Sequence, residues 1–332
     1  MRKLVTHVRR YIKIGCVPTL RIMRLIPSAY VASILLVSML CFTLSPTVAA
    51  ESPNTVLVGV YVLNVGKVDL STGGYTVDFY LSMRCAAAKC DLGNFEFMNG
   101  RAVSSRLEEN STNERFWRIQ ADLYENLDLH DYPFDSHTLV IRIEDVSLTT
   151  QNLTYAPDPS NSGVDPSVVV VGWTVGGWNQ KVVDHYYQVY NQTYSQYIFS
   201  VTLHREPTSA FEVFIPVFFL AFIALVAMLM YGKISSVFEN RILLTASLLV
   251  AAVLFQFSLD SSLPPLGYLT FADIFMLATY VIIVSALITG IMVLRYTHKH
   301  DLKKAERIHS LSIRILPAVT VIIYVAIFLR FL

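Results

Sequence analysis

The chain has 332 residues, of which 54% are hydrophobic and 15% charged, and its mean hydropathy is +0.48. It is too apolar for one soluble domain and too polar for a protein that lies wholly within a membrane, so two unlike parts are expected. The net charge of +1 conceals an acidic stretch, because residues 51–210 carry 19 acidic residues against 10 basic ones. Since the basic residues gather at the two ends of the chain, no nucleic-acid-binding face is predicted.

Residues 1–50 have the pattern of a signal peptide. Seven Lys and Arg residues precede an apolar core at 29–44, and the small residues SPTVAA follow it as a cleavage region. An uncleaved signal anchor is the alternative. In both cases the chain from residue 51 onward is expected to lie outside the cytoplasm.

Cys85 and Cys90 are the two cysteines that remain after residue 50, in the sequence RCAAAKC. A non-cytosolic compartment favours one short disulfide loop. A two-thiol metal site is the weaker alternative, because no histidine or second cysteine pair accompanies them. No metal site and no cofactor are predicted.

Residues 51–208 are predicted to form an extracellular all-β domain. Apolar and β-branched residues run or alternate through TVLVGVYVLNV and GYTVDFYLSM, and the turn-forming STGG separates these two stretches. About eight to ten short strands of this kind predict an immunoglobulin-like β-sandwich. Three glycosylation sequons are expected in exposed loops, at Asn110, Asn152 and Asn191.

Residues 209–332 are predicted to form a four-helix transmembrane domain. Helices of membrane length are expected at about 211–231, 240–260, 269–295 and 311–331, with a short cytoplasmic linker at 296–310. Basic residues flank the first turn and fill this linker, whereas the loop at 261–268 has none. The positive-inside bias therefore places the sandwich and the C-terminus on the extracellular or periplasmic side of the cell membrane.

The second of these helices carries an unusual stripe. Its members recur at steps of 4, 4, 3, 4, 3 and 4 and so share one helix face: Glu239, Leu243, Ser247, Val250, Leu254, Phe257 and Ser261. The plain alternative is an ordinary membrane anchor whose terminal acids, Glu239 and Asp260, lie among the lipid headgroups.

Several motifs give the chain a family resemblance. They are the YPFD sequence at Tyr132, Pro133, Phe134 and Asp135, the Arg205-Glu206-Pro207 sequence before the first membrane helix, Pro216 within it, and Leu263-Pro264 after the second. Over residues 54–332 the chain resembles a pentameric ligand-gated ion channel of the Cys-loop receptor superfamily, in its compact prokaryotic form. It lacks the cysteines that bracket YPFD in animal receptors and their large intracellular domain, and His137 stands where glutamine is common.

The resemblance implies a homopentamer in a lipid bilayer, with the second membrane helix lining the pore. Glu239 would then form the selectivity ring at the cytoplasmic mouth, and Ser247 would offer hydroxyl groups to the ion. Val250, Leu254 and Phe257 would form the gate, because apolar rings in a narrow pore lose their water. We expect inorganic cations to permeate, with an anion-selective channel of the same fold as the alternative.

The resemblance also implies a coupling region where the sandwich meets the membrane domain. Asp135 and Arg205 are expected to form its central ion pair. For Lys67 and Asp69, surface ion pairs of little energetic weight are an equal alternative. The full set of expected coupling residues is Lys67, Asp69, Tyr132, Pro133, Phe134, Asp135, Arg205, Asp260 and Pro264.

The agonist is left open by the sequence. In the family it binds under a hairpin that corresponds here to DHYYQVYNQTYSQY, and six aromatic residues could enclose an amine by cation–π contact: Phe97, Trp117, Tyr155, Tyr186, Tyr190 and Tyr194. Alternating tyrosines also simply pack the faces of a hairpin. Protons are a second candidate, acting on His130, His137, His185 and Glu144, and divalent cations are a third.

Two other function classes remain to be compared with a channel. A non-conducting membrane-tethered ligand sensor would use the sandwich but not the pore stripe. An enzyme is not predicted, because the sequence has no GxSxG, HExxH or P-loop motif and no Cys-His constellation.

Overall fold

The computed structural model describes residues 53–87, 90–230 and 235–331. The predicted signal peptide at 1–50 lies outside the described residues. From Ser52 to the C-terminus the chain forms one compact unit, and its described residues form ten strands followed by four long helices.

The strands form two sheets. The strands are β1 Asn54–Val65, β2 Gly74–Cys85, β3 Phe95–Phe97, β4 Gly100–Asn110, β5 Glu114–Tyr124, β6 Ser136–Asp145, β7 Leu153–Pro157, β8 Gly163–Val164, β9 Trp173–Tyr187 and β10 Gln192–Arg205. One sheet has the strand order β4-β5-β2-β1-β7, with β8 also paired to β1, and the other has the order β3-β6-β10-β9.

The strand core follows from the alternation in the sequence. Val56, Val58 and Val60 of β1 are fully buried, and Phe199 and Leu203 of β10 are buried in the same hydrophobic cluster. Successive side chains of a strand point to opposite faces, so these apolar sets from the two sheets meet between them. The predicted fold class, a β-sandwich followed by a four-helix domain, is confirmed.

All four helices are long and apolar enough to cross a membrane, in agreement with the predicted multi-pass protein. Phe214, Ala252, Phe275 and Tyr324 contribute to their common core, one from each helix. The helices are α1 Pro207–Ala227, α2 Ser235–Asp260, α3 Phe271–His298 and α4 Leu302–Phe331.

The helix ends differ from the hydropathy-based prediction. Residues 296–298 and 302–310 of the predicted linker are helical, because α3 continues to His298 and α4 begins at Leu302. Hydropathy marks only the part of a helix that is apolar enough for lipid, whereas local hydrogen bonds decide where it begins. Here the Asp301 carboxylate accepts a bond from the Lys304 N–H at 3.2 Å, which satisfies an amide at the start of α4.

A disulfide joins Cys85, the last residue of β2, to Cys90, with 5.7 Å between their Cα atoms. All three candidate sequon asparagines, Asn110, Asn152 and Asn191, are exposed. Asn191 lies at the turn between β9 and β10 and has a φ of 51°.

Replacing both Cys85 and Cys90 by Ser should lower the stability of the sandwich by about 2 kcal/mol, because a short cross-link removes a modest amount of unfolded-chain entropy. The midpoint of thermal unfolding measures this loss. Reductant should lower the midpoint of the wild-type protein to that of the variant and leave the variant unchanged. A reductant effect of equal size on both proteins would contradict the assignment.

Candidate functional site

The stripe on α2 is exposed along its whole length. All seven of its residues are exposed, and the apolar members Leu243, Leu254 and Phe257 have 65%, 66% and 74% of their surface accessible. The opposite face is buried against the same chain through Thr245, Leu248 and Ala252. Helix α2 therefore has one face packed within the chain and one that is directed away from it.

The two charged residues at the start of α2 point in different directions. Glu239 is exposed on the stripe, whereas Arg241 is 0% exposed. The Arg241 Nη2 donates to Thr289 Oγ1 of α3 at 3.1 Å, and its Nε and Nη1 have no hydrogen-bond partner among the described residues. The positive charge is thus directed into the helix bundle, away from the carboxylate of Glu239.

The hydroxyl of Ser247 donates to the Leu243 carbonyl at 2.9 Å. Because the hydrogen is used within the helix, the oxygen lone pairs remain available on the exposed face. Near the other end of α2, Gln256 Nε2 donates to Asp260 Oδ1 at 2.9 Å and to Asp273 Oδ1 at 2.8 Å. Asp260 therefore pairs with its own helix and indirectly with α3.

The structure brings Asp135 and Arg205 together. Arg205 Nε lies 2.6 Å from Asp135 Oδ1 and Nη2 lies 3.0 Å from Oδ2, so the pair is bidentate. His137 Nε2 lies 2.5 Å from the same Oδ2, and the guanidinium is over the ring of Trp173 at 4.2 Å. The carboxylate is almost completely buried, so all of its charge is met by protein groups.

Strand register positions this pair. Ser136 of β6 lies opposite His204 of β10 in an antiparallel ladder, so the residues just beyond them are neighbours. The Arg205 N–H also donates to the Asp135 carbonyl at 3.1 Å. Burial acts to raise the pKa of Asp135, but the hydrogen bonds from His137 and Arg205 and the charge of Arg205 outweigh it and hold that pKa below its ordinary value.

Residues 125–135 connect β5 to β6 and form the YPFD loop, which contacts the helices directly. The ring of Phe134 lies 5.6 to 6.1 Å from four aromatic rings of the helical domain, those of Phe211, Phe214, Phe271 and Phe328. Such contacts stabilise the packing of the loop on the helices, both by burying apolar surface and by edge-to-face attraction between the rings. Three helices, α1, α3 and α4, thus meet this one side chain.

The same loop satisfies the first amides of α3. The Phe271 N–H donates to the His130 carbonyl at 2.8 Å, and the Ala272 N–H donates to the Tyr132 carbonyl at 3.1 Å. The first four amides of a helix have no partner within it, so loop carbonyls that accept from them fix the place where the helix begins. No residue pattern in the sequence predicts this contact, because any residue can supply a backbone carbonyl as acceptor.

Among the residues that the structure describes, Lys67 and Asp69 form no hydrogen bond or ion pair with the helices. Asp69 accepts bonds from the N–H and hydroxyl of Ser71 within its own turn, and the Lys67 side chain is exposed. The β1–β2 turn instead approaches the helices through residues 70–73, which line a cavity of about 530 Å³ together with Pro264 and Tyr268.

A second cavity, of about 220 Å³, lies under the β9–β10 hairpin. It is lined by Glu96, Glu144, Asp145, Val146, Tyr187, Tyr190 and Tyr194. Glu144 is 2% exposed and lies within hydrogen-bond distance of His185 Nδ1, Tyr187 Oη and Gln196 Nε2. Burial, together with the bond to Glu144, raises the pKa of Tyr187 to about 12.

Only part of the predicted aromatic set meets at this cavity. Tyr190 and Tyr194 line it, but the Tyr186 hydroxyl bonds to Asn191 at 3.0 Å and its ring is not part of the lining. Phe97, Trp117 and Tyr155 pack against the sandwich core of the same chain.

Glu96, Asp145 and Tyr187 line the cavity but are not among the predicted site residues, and Glu144 is predicted only as a titratable group. Strand parity contains the signal for Tyr187, because side chains two apart in a strand share a face and adjacent ones do not. Tyr187 therefore shares the face of His185, whereas Tyr186 has the other face.

One comparison with known proteins gives a relative. The chain is 24% identical over 284 residues to a proton-gated ion channel of Gloeobacter violaceus, a match that covers 78% of this chain and 76% of the relative. No family model matches the chain. An ion channel is not an enzyme, so this match agrees with the prediction that the chain is not an enzyme.

Replacing Asp135 by Asn should destabilise the protein by about 3 kcal/mol, because it leaves the Arg205 charge buried without its partner. Thermal unfolding at neutral pH measures the loss, and Asp131→Asn in the exposed part of the same loop is the control. The pKa of Asp135 is lower in the folded than in the unfolded protein. The stability that its carboxylate contributes is therefore fully present above the ordinary carboxyl pKa of about 4 and is lost as pH falls through the pKa of the folded state. The difference in the free energy of unfolding between the wild type and Asp135→Asn should therefore become smaller below about pH 4. Equal stability of the two proteins at neutral pH would contradict this role.

Proposed function

We propose that this chain forms a homopentameric ligand-gated ion channel that is cation-selective, with the sandwich outside the cell and α2 lining the pore. The observation that carries the proposal is the exposed stripe of α2, which combines a carboxylate and hydroxyl groups with large apolar side chains. Exposure of Glu239 to lipid would be costly for a membrane helix. Five copies around an axis instead turn the stripe toward a shared aqueous pathway.

In a pentamer with fivefold rotational symmetry, each stripe residue occurs five times and forms a ring around the pore axis. The Glu239 ring lies at the inner end and concentrates cations, while Arg241 is directed into the bundle. The Ser247 ring offers oxygen lone pairs to a partly dehydrated ion. Val250, Leu254 and Phe257 form apolar rings that close the pore by excluding water. The similarity to a proton-gated ion channel supports this assignment.

Opening requires that the sandwich move the helices, and the YPFD loop has the contacts for this. Asp135 binds Arg205 immediately before α1, Phe134 packs on three helices, and the loop carbonyls accept from the start of α3. A shift of the sandwich therefore displaces the helix ends as one unit. Because α3 packs along α2, the displacement reaches the pore helix.

The cavity under the hairpin is the proposed agonist site. Its carboxylates and tyrosine rings favour a small organic ammonium ion, which is attracted both by charge and by cation–π contact. Protons are the other agonist class, and the name of the relative supports them. The pair of His185 and Glu144 gives protons a place to act beside the same cavity.

Replacing Glu239 by Ala should lower the permeability ratio of cations over anions by roughly tenfold, because the carboxylate ring focuses cations at the inner mouth. Reversal potentials in a salt gradient across liposomes measure the ratio. Glu239→Asp, which keeps the charge, should retain the cation preference. An unchanged preference in Glu239→Ala, or an anion preference in the wild type, would reject the selectivity assignment.

Replacing Tyr190 by Ala should raise the amine concentration needed for half-maximal current by roughly tenfold, the value of one cation–π contact. Tyr186→Ala is the matched control, because Tyr186 is on the same hairpin but is not part of the cavity lining. A panel of primary and quaternary amines is applied to both variants. Equal effects of the two substitutions would place the agonist elsewhere.

A further inference from the structure

A second contact between the YPFD loop and the membrane domain joins His130 to Tyr268. Their rings are stacked with centroids 3.7 Å apart and an interplanar angle of 5°. His130 belongs to the YPFD loop, and Tyr268 belongs to the connection between the pore helix α2 and α3. The stack therefore links the extracellular loop to the outer end of the pore helix.

Each ring is held in place by a hydrogen bond to residue 128 or residue 129 of the YPFD loop. His130 Nδ1 lies 2.5 Å from Asp128 Oδ1, which also accepts from the His130 N–H at 3.1 Å. The Tyr268 hydroxyl accepts from the Leu129 N–H at 3.0 Å. The two rings are thus fixed face to face by independent hydrogen bonds.

The surroundings of His130 are acidic. The cavity of about 530 Å³ beside it is lined by Glu125 and Asp128 from the same stretch and by Tyr268 from the α2–α3 connection. Residues 70–73 of the β1–β2 turn line the same cavity and contribute no titratable group. The hydrogen bonds from the side chain and the backbone N–H of His130 lower the pKa of Asp128.

A proton on His130 would strengthen both of its contacts. The imidazolium would form an ion pair with the Asp128 carboxylate and place a positive charge over the face of the Tyr268 ring. The side chain of His130 is 56% exposed, so protons reach it from solvent. Histidine is the side chain that ordinarily changes its charge between about pH 5 and 8.

We propose that His130, held between Asp128 and Tyr268, is a proton-binding site that tightens the link between the YPFD loop and the pore helix as pH falls, and so promotes opening. The inference rests on the proposed channel function and adds one specific proton site to it. Because the proton binds more tightly when the stack is formed, it shifts the protein toward the stacked, coupled state.

Cation flux into liposomes that contain the purified full-length protein tests the site at external pH 7.5 and 5.5, with internal pH held constant. Wild-type flux should be roughly fivefold higher at pH 5.5 than at pH 7.5, because a factor of five is at the lower end of the allosteric coupling usually observed between two sites. His130→Phe keeps an aromatic stack without a charge and should stay at the low level at both pH values. His130→Arg keeps a permanent planar charge and should stay at the high level at both.

His204→Gln, an exposed histidine of the sandwich on the same side of the membrane as His130, is the matched histidine control and should keep the wild-type pH response. A full pH response in His130→Phe would overturn the proposal, and so would a wild-type flux that is independent of pH. Gel filtration of each variant checks that the assembly is retained before flux is compared.

A titration followed by NMR of histidine-labelled protein tests the site without requiring conduction. Tyr268→Leu removes the facing ring and should lower the pH at which the His130 signal shifts, because binding of the proton and formation of the stack are reciprocal. An unchanged His130 titration in Tyr268→Leu would overturn the proton site. If the wild type conducts under no condition, the channel function fails, while this titration still decides whether the stack binds a proton.

Discussion

The buried carboxylate of Asp135 is the group on which the arrangement of the two domains depends. It lies just before β6, receives both arms of the Arg205 guanidinium from the end of β10, and accepts a third bond from His137. A buried charge is tolerated only when such bonds are complete, because a missing one leaves an uncompensated charge. The position of Arg205, and with it the start of α1 two residues later, is therefore determined by the sandwich.

The four helices differ in how they are attached to this junction. Helix α1 follows Arg205, and α3 begins where its first amides meet the carbonyls of the YPFD loop. Helix α2 has no such attachment within the described residues: it packs on its own chain by one face and is linked to the loop through Tyr268 of the following connection. Under the proposed channel function, a helix that is held on one side only and connected at one end lines a pore whose width changes when the sandwich moves.

Local patterns in the sequence predicted much of this arrangement. The alternation of β1, the four apolar segments and the spacing of the α2 stripe each depend on residues near one another in the chain. The pair of Asp135 and Arg205 required the family resemblance, because 70 residues separate them. The capping of α3 by carbonyls, the carboxylate cluster at Glu144 and the stack of His130 on Tyr268 depend on tertiary placement, so no local pattern contains them. The early start of α4 was missed because hydropathy does not detect a hydrogen-bonded polar turn.

Thiol accessibility along α2 tests most directly whether the exposed stripe faces an ion pathway. Single cysteines are introduced at Leu243, Ser247, Val250, Leu254 and Phe257 on the stripe, and at Thr245, Leu248 and Ala252 on the buried face. A charged, water-soluble thiol reagent is then applied while cation flux is measured. Modification should reduce flux at the stripe positions and leave it unchanged at the buried positions. The sensitive positions should therefore recur along α2 at the same steps of three and four residues as the stripe. Loss of flux without that periodicity, or at the buried positions alone, would contradict a pore lined by α2.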